Sequence, residues 1–200
     1  MMGIDLGGVL PGLRALHEDL TPISSGIVVV ADWVRWKCRF GCRGYGKHLC
    51  CPPYSPTPQE TRAMLSSYRR AVLVRFQAEP DRDLLPGHPH HALWGSVTTL
   101  HRTIFELERR AFLSGCHKAF GMGALPCTLC ERCVAEERLE EDRTVTEILD
   151  ARCRHKDLMR PSMEACGIDV FQTLRNAGFG PEVLKDYAER VELFGMVLLD

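Results

Sequence analysis

Apolar positions recur along this chain in two different periods, and the switches between them lay out its elements. Residues 26–36, GIVVVADWVRW, form a nearly unbroken apolar run and predict an extended segment, with Trp33 and Trp36 as packing residues. After Thr57 the period changes: Thr61, Met64, Leu65 and Tyr68 fall at i, i+3, i+4 and i+7, one face of a helix. Its start is written as a capping box, with Thr57 at the N-cap, Pro58 in the first position and Glu60 two residues further on. RAVLVRFQ (70–77) is rich in β-branched residues and predicts a core strand.

Residues 79–95 are rich in Pro, Gly and His and read as a loop. A second helix is expected from Thr98 to Ser114, with Leu100, Ile104, Leu107 and Ala111 on one stripe and Gly115 as terminator. KAFGMGAL (118–125) reads as a strand running straight into Cys127, and 134–150 as an acidic helix. Asp169 caps a further helix with Gln172 at its third position, and Gly178 stops it. VELFGMVLLD (191–200) closes the chain as a strand that could serve as an edge open to pairing, and the sequence does not set the sheet order. This order predicts the α+β class: a small sheet with helices over one face, carrying cysteine-rich metal-binding loops. Residues 1–25 read as an N-terminal extension and 26–200 as a single domain.

Composition adds mainly exclusions. Hydrophobic residues make up 45% and charged residues 26% of the 200, the balance of an ordinary globular protein. A net charge of −1 offers no field for wrapping nucleic acid or docking on an anionic membrane. No apolar run approaches the roughly 18 residues of a membrane-spanning helix. The start, MMGIDLGGVLPGLRALHEDL, lacks the basic region of a signal peptide, so a reducing cytoplasm is the expected location. Against that background, ten cysteines point to metal ligation or redox chemistry rather than to disulfides.

The thiols fall in two groups. Cys127, Cys130 and Cys133 form C-x2-C-x2-C, and Cys153 follows after nineteen intervening residues. The first three match the opening of a ferredoxin-type run: a chain wrapping a cubane supplies a thiolate about every third residue, and a remote cysteine takes the last corner. A [4Fe–4S] cluster on Cys127, Cys130, Cys133 and Cys153 is the expected cofactor, and zinc on the same four residues is the alternative. Arg152, Arg154, His155, Lys156 and Arg160 surround the last ligand and suit an anionic cluster, while Gly121 and Gly123 permit close backbone approach.

The other group is Cys38-x3-Cys42 followed by Cys50, Cys51 and two prolines. Adjacent side chains diverge, so three ligands are expected, Cys38, Cys42 and Cys51, with Cys50 a spare or a substitute. Three thiolates leave a metal corner open to water, substrate, His48 or a remote thiol such as Cys166, and an open metal acts as a Lewis acid. Arg39, Arg43, Lys47 and His48 either offset charge there or are simply solvated. Cys116 and Cys166 read as small buried hydrophobes, HPHH (88–91) as a loop and EERLEED (136–142) as a solvated helix face. No G-x-S-x-G, Walker A or G-x-G-x-x-G motif is present.

From Val28 to Leu199 the chain resembles an uncharacterised family of predicted metal-binding proteins, domain of unknown function 2284. The resemblance is carried by VRWKCRFGCRGYGKHLCCPPYSPTPQE, LERRAFLSGCHKAFGMGALPCTLCERC and CRHKDLMRPSMEACGIDVFQTLRNAG. It implies cysteine-rich metal binding, of iron–sulfur type, in a prokaryotic cytoplasm, with ligands at Cys38, Cys42, Cys51, Cys127, Cys130, Cys133 and Cys153. The chain departs from the family pattern at Cys50, where members usually carry another residue, and at Lys156, where a proline commonly follows CRH. The expected role is electron transfer to or from a redox partner protein. Two other readings stand beside it: an enzyme with an open cluster held by three cysteines, and a zinc-stabilised interaction module.

Overall fold

In the computed structural model, which describes residues 6–83, 91–141, 144, 147, 153–186 and 188–200, the apolar runs at 70–78 and 191–199 become the central strands. Strand β2 (Arg70–Ala78) and the C-terminal strand β4 (Val191–Leu199) pair antiparallel along their full length, from Arg70 opposite Leu199 to Ala78 opposite Val191. Strand β1 (Leu20–Ser24) adds to the free side of β2, and β3 (Phe120–Met122) to the free side of β4, giving the order β1-β2-β4-β3. The C-terminal strand is therefore interior rather than an edge open to pairing. Its near-continuous burial is the physical reason, because a strand that buries both faces belongs mid-sheet.

Both faces of the sheet are covered, where one was expected. On one side Val72, Val74 and Phe76 of β2 and Leu193, Val197 and Leu199 of β4 meet α1 (Leu6–Arg14) and α4 (Trp94–Leu113). Leu100, Ile104, Leu107 and Ala111 form the predicted buried stripe of α4, and Val9 and Leu13 anchor α1. On the other side Leu73, Phe194, Met196 and Leu198 pack against Leu65 of α3 (Pro58–Leu65), Leu174 of α6 (Val170–Asn176), and Met163 and Ile168 from the segment that precedes α6. Residues 6–24, within the stretch read as an extension, thus supply one helix and one strand to this body.

Local signals act as their chemistry demands. In the α3 capping box, the Thr57 N–H donates to Glu60 Oε2 at 2.7 Å and the Glu60 N–H to Thr57 Oγ1 at 3.2 Å. Asp169 accepts from the Gln172 N–H at 2.9 Å, and Gly178 leaves the helix at φ +89°. Helix α4 begins at Trp94, inside the segment read as loop.

The largest correction lies at residues 26–36. After Val30, which bridges to Ile168, the chain turns into helix α2 (Asp32–Gly41). Val34 is its buried residue, whereas Trp33, Trp36 and Phe40 share the outer face, Trp36 at 64% and Phe40 at 81% exposure. The two tryptophans are therefore surface residues, because a helical period carries positions 33, 36 and 40 to one side and 34 to the other. The acidic segment yields α5 (Val134–Glu140), and most of 142–152 lies outside the described residues, as do residues 84–90 with most of HPHH. No helix among the described residues is long and apolar enough to cross a membrane.

Candidate metal centre

The route into the main thiol group is fixed from two sides. Beyond β3, Gly123 pairs with the segment from Pro161 to Met163, donating to the Pro161 carbonyl and accepting from the Met163 N–H, each at 2.9 Å. Leu125 then takes a left-handed conformation, φ +59°, two residues before Cys127. A leucine there is strained, and the chain bends there just before Pro126 and Cys127.

Gly121 and Gly123 do permit a close approach, but of α4 rather than of the thiol loop. A Cβ on Gly121 would stand 2.7 Å from Ile104 Cγ2, and one on Gly123 2.6 Å from His101 Cε1. Glu108 of α4 reaches across the same gap. Its Oε2 accepts the Gly121 N–H at 2.6 Å, and both carboxylate oxygens grip Arg160 at 2.6 Å. Of the cations expected around Cys153, Arg160 is thus spent on positioning the chain.

Helix α5 ties the thiol segments together. It starts directly after Cys133, whose carbonyl accepts the Glu136 and Glu137 N–H groups. Glu137 holds Arg154 through both carboxylate oxygens at 2.8 and 2.6 Å, and Arg154 also donates to the Arg132 carbonyl at 3.0 Å. Lys47, from the upstream cysteine loop, stands 3.7 Å from Glu136. The acidic run is therefore partly an internal clasp rather than only a solvated face.

Within this frame Cys127, Cys130, Cys133 and Cys153 line one small, partly open cavity walled by Leu49, Leu129 and Met159, with His155 beside it. A fifth thiol, Cys50, lines the same cavity. Spacing left Cys50 as a spare, and no pattern of intervals would have placed residue 50 against residue 127.

Burial governs the electrostatics. It pushes the Cys127 thiol up to about 12, with further upward pressure from Cys50, Cys153 and Cys130, and it raises Cys153 as well. Cys50 is held well above its ordinary value by its contact with the Cys51 thiol and by burial. Opposing these, backbone N–H groups already point at sulfur: His155 donates to Cys153 Sγ at 3.4 Å, and the Leu129 backbone lowers Cys127. Arg154 adds its positive charge near Cys130. Crowded, desolvated thiols fronted by N–H donors fit a polycationic metal core, which supplies the charge that bare thiolates lack here.

The upstream thiols are arranged differently. Cys38 and Cys42 lie one helical turn apart at the end of α2, the Cys42 N–H donating to the Cys38 carbonyl at 3.3 Å. Cys42 is exposed and its Sγ accepts the Gly44 N–H at 3.4 Å. Burial first, then Cys42 and Glu164, raise the Cys38 pKa, while Arg35 lowers it. Arg35 itself is fastened to the carbonyls of Ala165 and Pro56 at 2.6 and 2.8 Å. Cys51 is buried, with its Sγ 3.7 Å from Cys50 Sγ. Cys38 and Cys42 thus come together, whereas the sulfur neighbour of Cys51 is Cys50. Among the described residues, no group of three or more His, Cys, Asp or Glu is set to hold a single metal ion.

His48 and Glu164 lie close to these thiols. His48 Nδ1 is buried without a hydrogen-bond partner, and burial lowers its pKa. Glu164, which spacing did not single out, has a buried Oε2 without a partner, and burial raises its carboxyl against the pull of Ser162 and the Leu125 backbone. Cys116 and Cys166 sit fully buried in the two apolar cores, as expected.

A family model described as a predicted metal-binding protein (DUF2284) matches residues 21–199. The chain belongs to the DUF2284 family. The match takes in every cysteine of both groups and all four strands except Leu20. No curated protein and no solved structure matches this DUF2284 chain.

Proposed function

We propose that this DUF2284 protein is an iron–sulfur protein that passes single electrons to or from a partner protein in a reducing compartment. One observation carries the reading: thiols from segments far apart in sequence, Cys127, Cys130, Cys133 and Cys153, line one cavity with Cys50. The C-x2-C-x2-C spacing of Cys127, Cys130 and Cys133 with a remote thiol is that of a chain wrapped around a polynuclear core. Bound there, a [4Fe–4S] cluster supplies a reversible one-electron couple. The protein supplies the rest: Leu49, Leu129 and Met159 keep water scarce, N–H groups cap sulfur, and Arg154 offsets negative charge.

The partner is expected at the outer face of α2. Trp33, Trp36 and Phe40 are exposed there among Lys37, Arg39 and Arg43, next to Cys38 and Cys42. An aromatic patch ringed by cations favours an acidic partner surface. A second reading, an enzyme with an open metal corner at Cys38, Cys42 and Cys51, is favoured by the exposure of Cys42 beside the buried, unpartnered His48 nitrogen. Anaerobic redox titration decides between electron transfer and a redox-silent role. A chromophore that bleaches on reduction and returns on oxidation is expected, and a colourless, zinc-containing protein would sink the proposal.

A further inference from the structure

Cys50 lies in the buried wall of the cavity formed by Cys127, Cys130, Cys133 and Cys153, at 1% exposure. Its Sγ accepts the Cys127 N–H at 3.1 Å. The amide nitrogen and Cβ of Cys127 share one Cα, so an atom on that amide is also within a few ångströms of the Cys127 side chain. Cys50 interacts electrostatically with Cys153 as well, across the cavity's other entering segment. It therefore shares the cavity with both ends of the ligand set.

The loop holds it there. The Cys51 N–H donates to the His48 carbonyl at 2.9 Å and the Gly46 N–H to the Pro52 carbonyl at 2.9 Å, so the chain folds tightly across residues 46–52. The Lys47–Glu136 pair joins that loop to α5, the helix that leaves Cys133. Two independent ties, the Cys127 amide and the α5 clasp, thus bring residue 50 to the same cavity. A bulk hydrophobe would fill the wall more fully than a cysteine does; a thiol lining the same cavity as four others suits a ligand.

We propose that Cys50, contributed from the upstream cysteine loop, is a metal ligand of this centre, taking one of its four corners in place of one of Cys127, Cys130, Cys133 and Cys153. Ligation exchanges the Cys50 thiol proton for a metal bond, with the proton released to solvent and no electron moved. This inference rests on the iron–sulfur reading, and the experiment separates the two.

Wild type, Cys50→Ala, Cys50→Ser and, as a buried control, Cys116→Ala are purified anaerobically, with iron, zinc and sulfide counted per chain. Far-UV circular dichroism checks folding, and electron paramagnetic resonance is recorded on the reduced forms. The expected result is metal loss of twofold or more in Cys50→Ala. Cys50→Ser should retain metal with a shifted resonance, as oxygen replaces sulfur, and Cys116→Ala should match wild type. If both Cys50 variants keep the wild-type metal content and resonance, Cys50 is only a packing residue and the inference fails while the iron–sulfur reading stands. If wild type itself lacks iron and sulfide, the iron–sulfur reading fails and, with it, this inference.

Discussion

Replacing His101 by leucine should remove much of the acid sensitivity of folding. The ring lies on the inner stripe of α4 at 0% exposure, pressed against Gly123, and neither nitrogen has a hydrogen-bond partner. Burial lowers its pKa from 6.5 to about 4, with the Ala124 backbone pulling the other way. A base whose folded pKa is depressed stays neutral in the fold while the unfolded chain takes up a proton. Stability is therefore untouched above the unfolded value of 6.5 and falls as the pH drops toward about 4. A gap of about 2.5 units, at about 1.4 kcal/mol per unit, amounts to roughly 3 kcal/mol in full and about 2 kcal/mol near pH 5.

Urea unfolding under anaerobic conditions measures this directly. For a slope of about 2 kcal/mol per molar, the His101-dependent drop between about pH 7.5 and about pH 5 is roughly 1 M in midpoint. His101→Leu should lack that drop, and at neutral pH it should be at least as stable, since two unpaired ring nitrogens leave the core. Taking wild type minus variant at each pH cancels the protonation of the metal-binding thiols, which both proteins share. Parallel curves for the two proteins across this range would refute the argument that the buried imidazole is held neutral by the fold.

Three further substitutions test the frame around the centre. Gly123→Ala sets a Cβ 2.6 Å from a ring with no exposed side to swing toward, so a loss of about 1–3 kcal/mol in thermal unfolding is expected, and an unchanged midpoint would contradict the packing described. Glu108→Gln leaves Arg160 without its carboxylate where both side chains are only 15% exposed; a loss of about 3 kcal/mol is expected by denaturant titration, and less than about 1 kcal/mol would count against the anchor. Lys47→Ala breaks a pair 48% and 33% exposed and should cost under about 1 kcal/mol with metal content unchanged, so a metal-depleted variant would show the clasp matters more than its exposure suggests.

What was legible in the sequence was whatever local chemistry decides. The α3 capping box, the Asp169 cap, the α4 stripe and the two central strands all depend on residues within a few positions of one another. Helix α2 was misread because Val28, Val29 and Val30 favour an extended chain, and its aromatic stripe faces outward, where periodicity carries no core signal. Strand β1, LTPIS, escaped because Pro22 argues against a strand unless it lies at an edge, which is where β1 lies. The small residues of GMG signalled a close approach correctly, but only the tertiary fold reveals that the approaching surface is α4. The same holds for Cys50, whose neighbours come from a segment more than seventy residues away.

The central claim is that the thiols around this cavity hold an iron–sulfur core, and its most direct test is the count of iron, zinc and acid-labile sulfide per chain on protein purified without oxygen. The account predicts about four irons and four sulfides for a [4Fe–4S] centre at this cavity, and about eight of each if the upstream thiols hold a second cubane. Stoichiometric zinc without sulfide would contradict it and leave a zinc-stabilised module in its place.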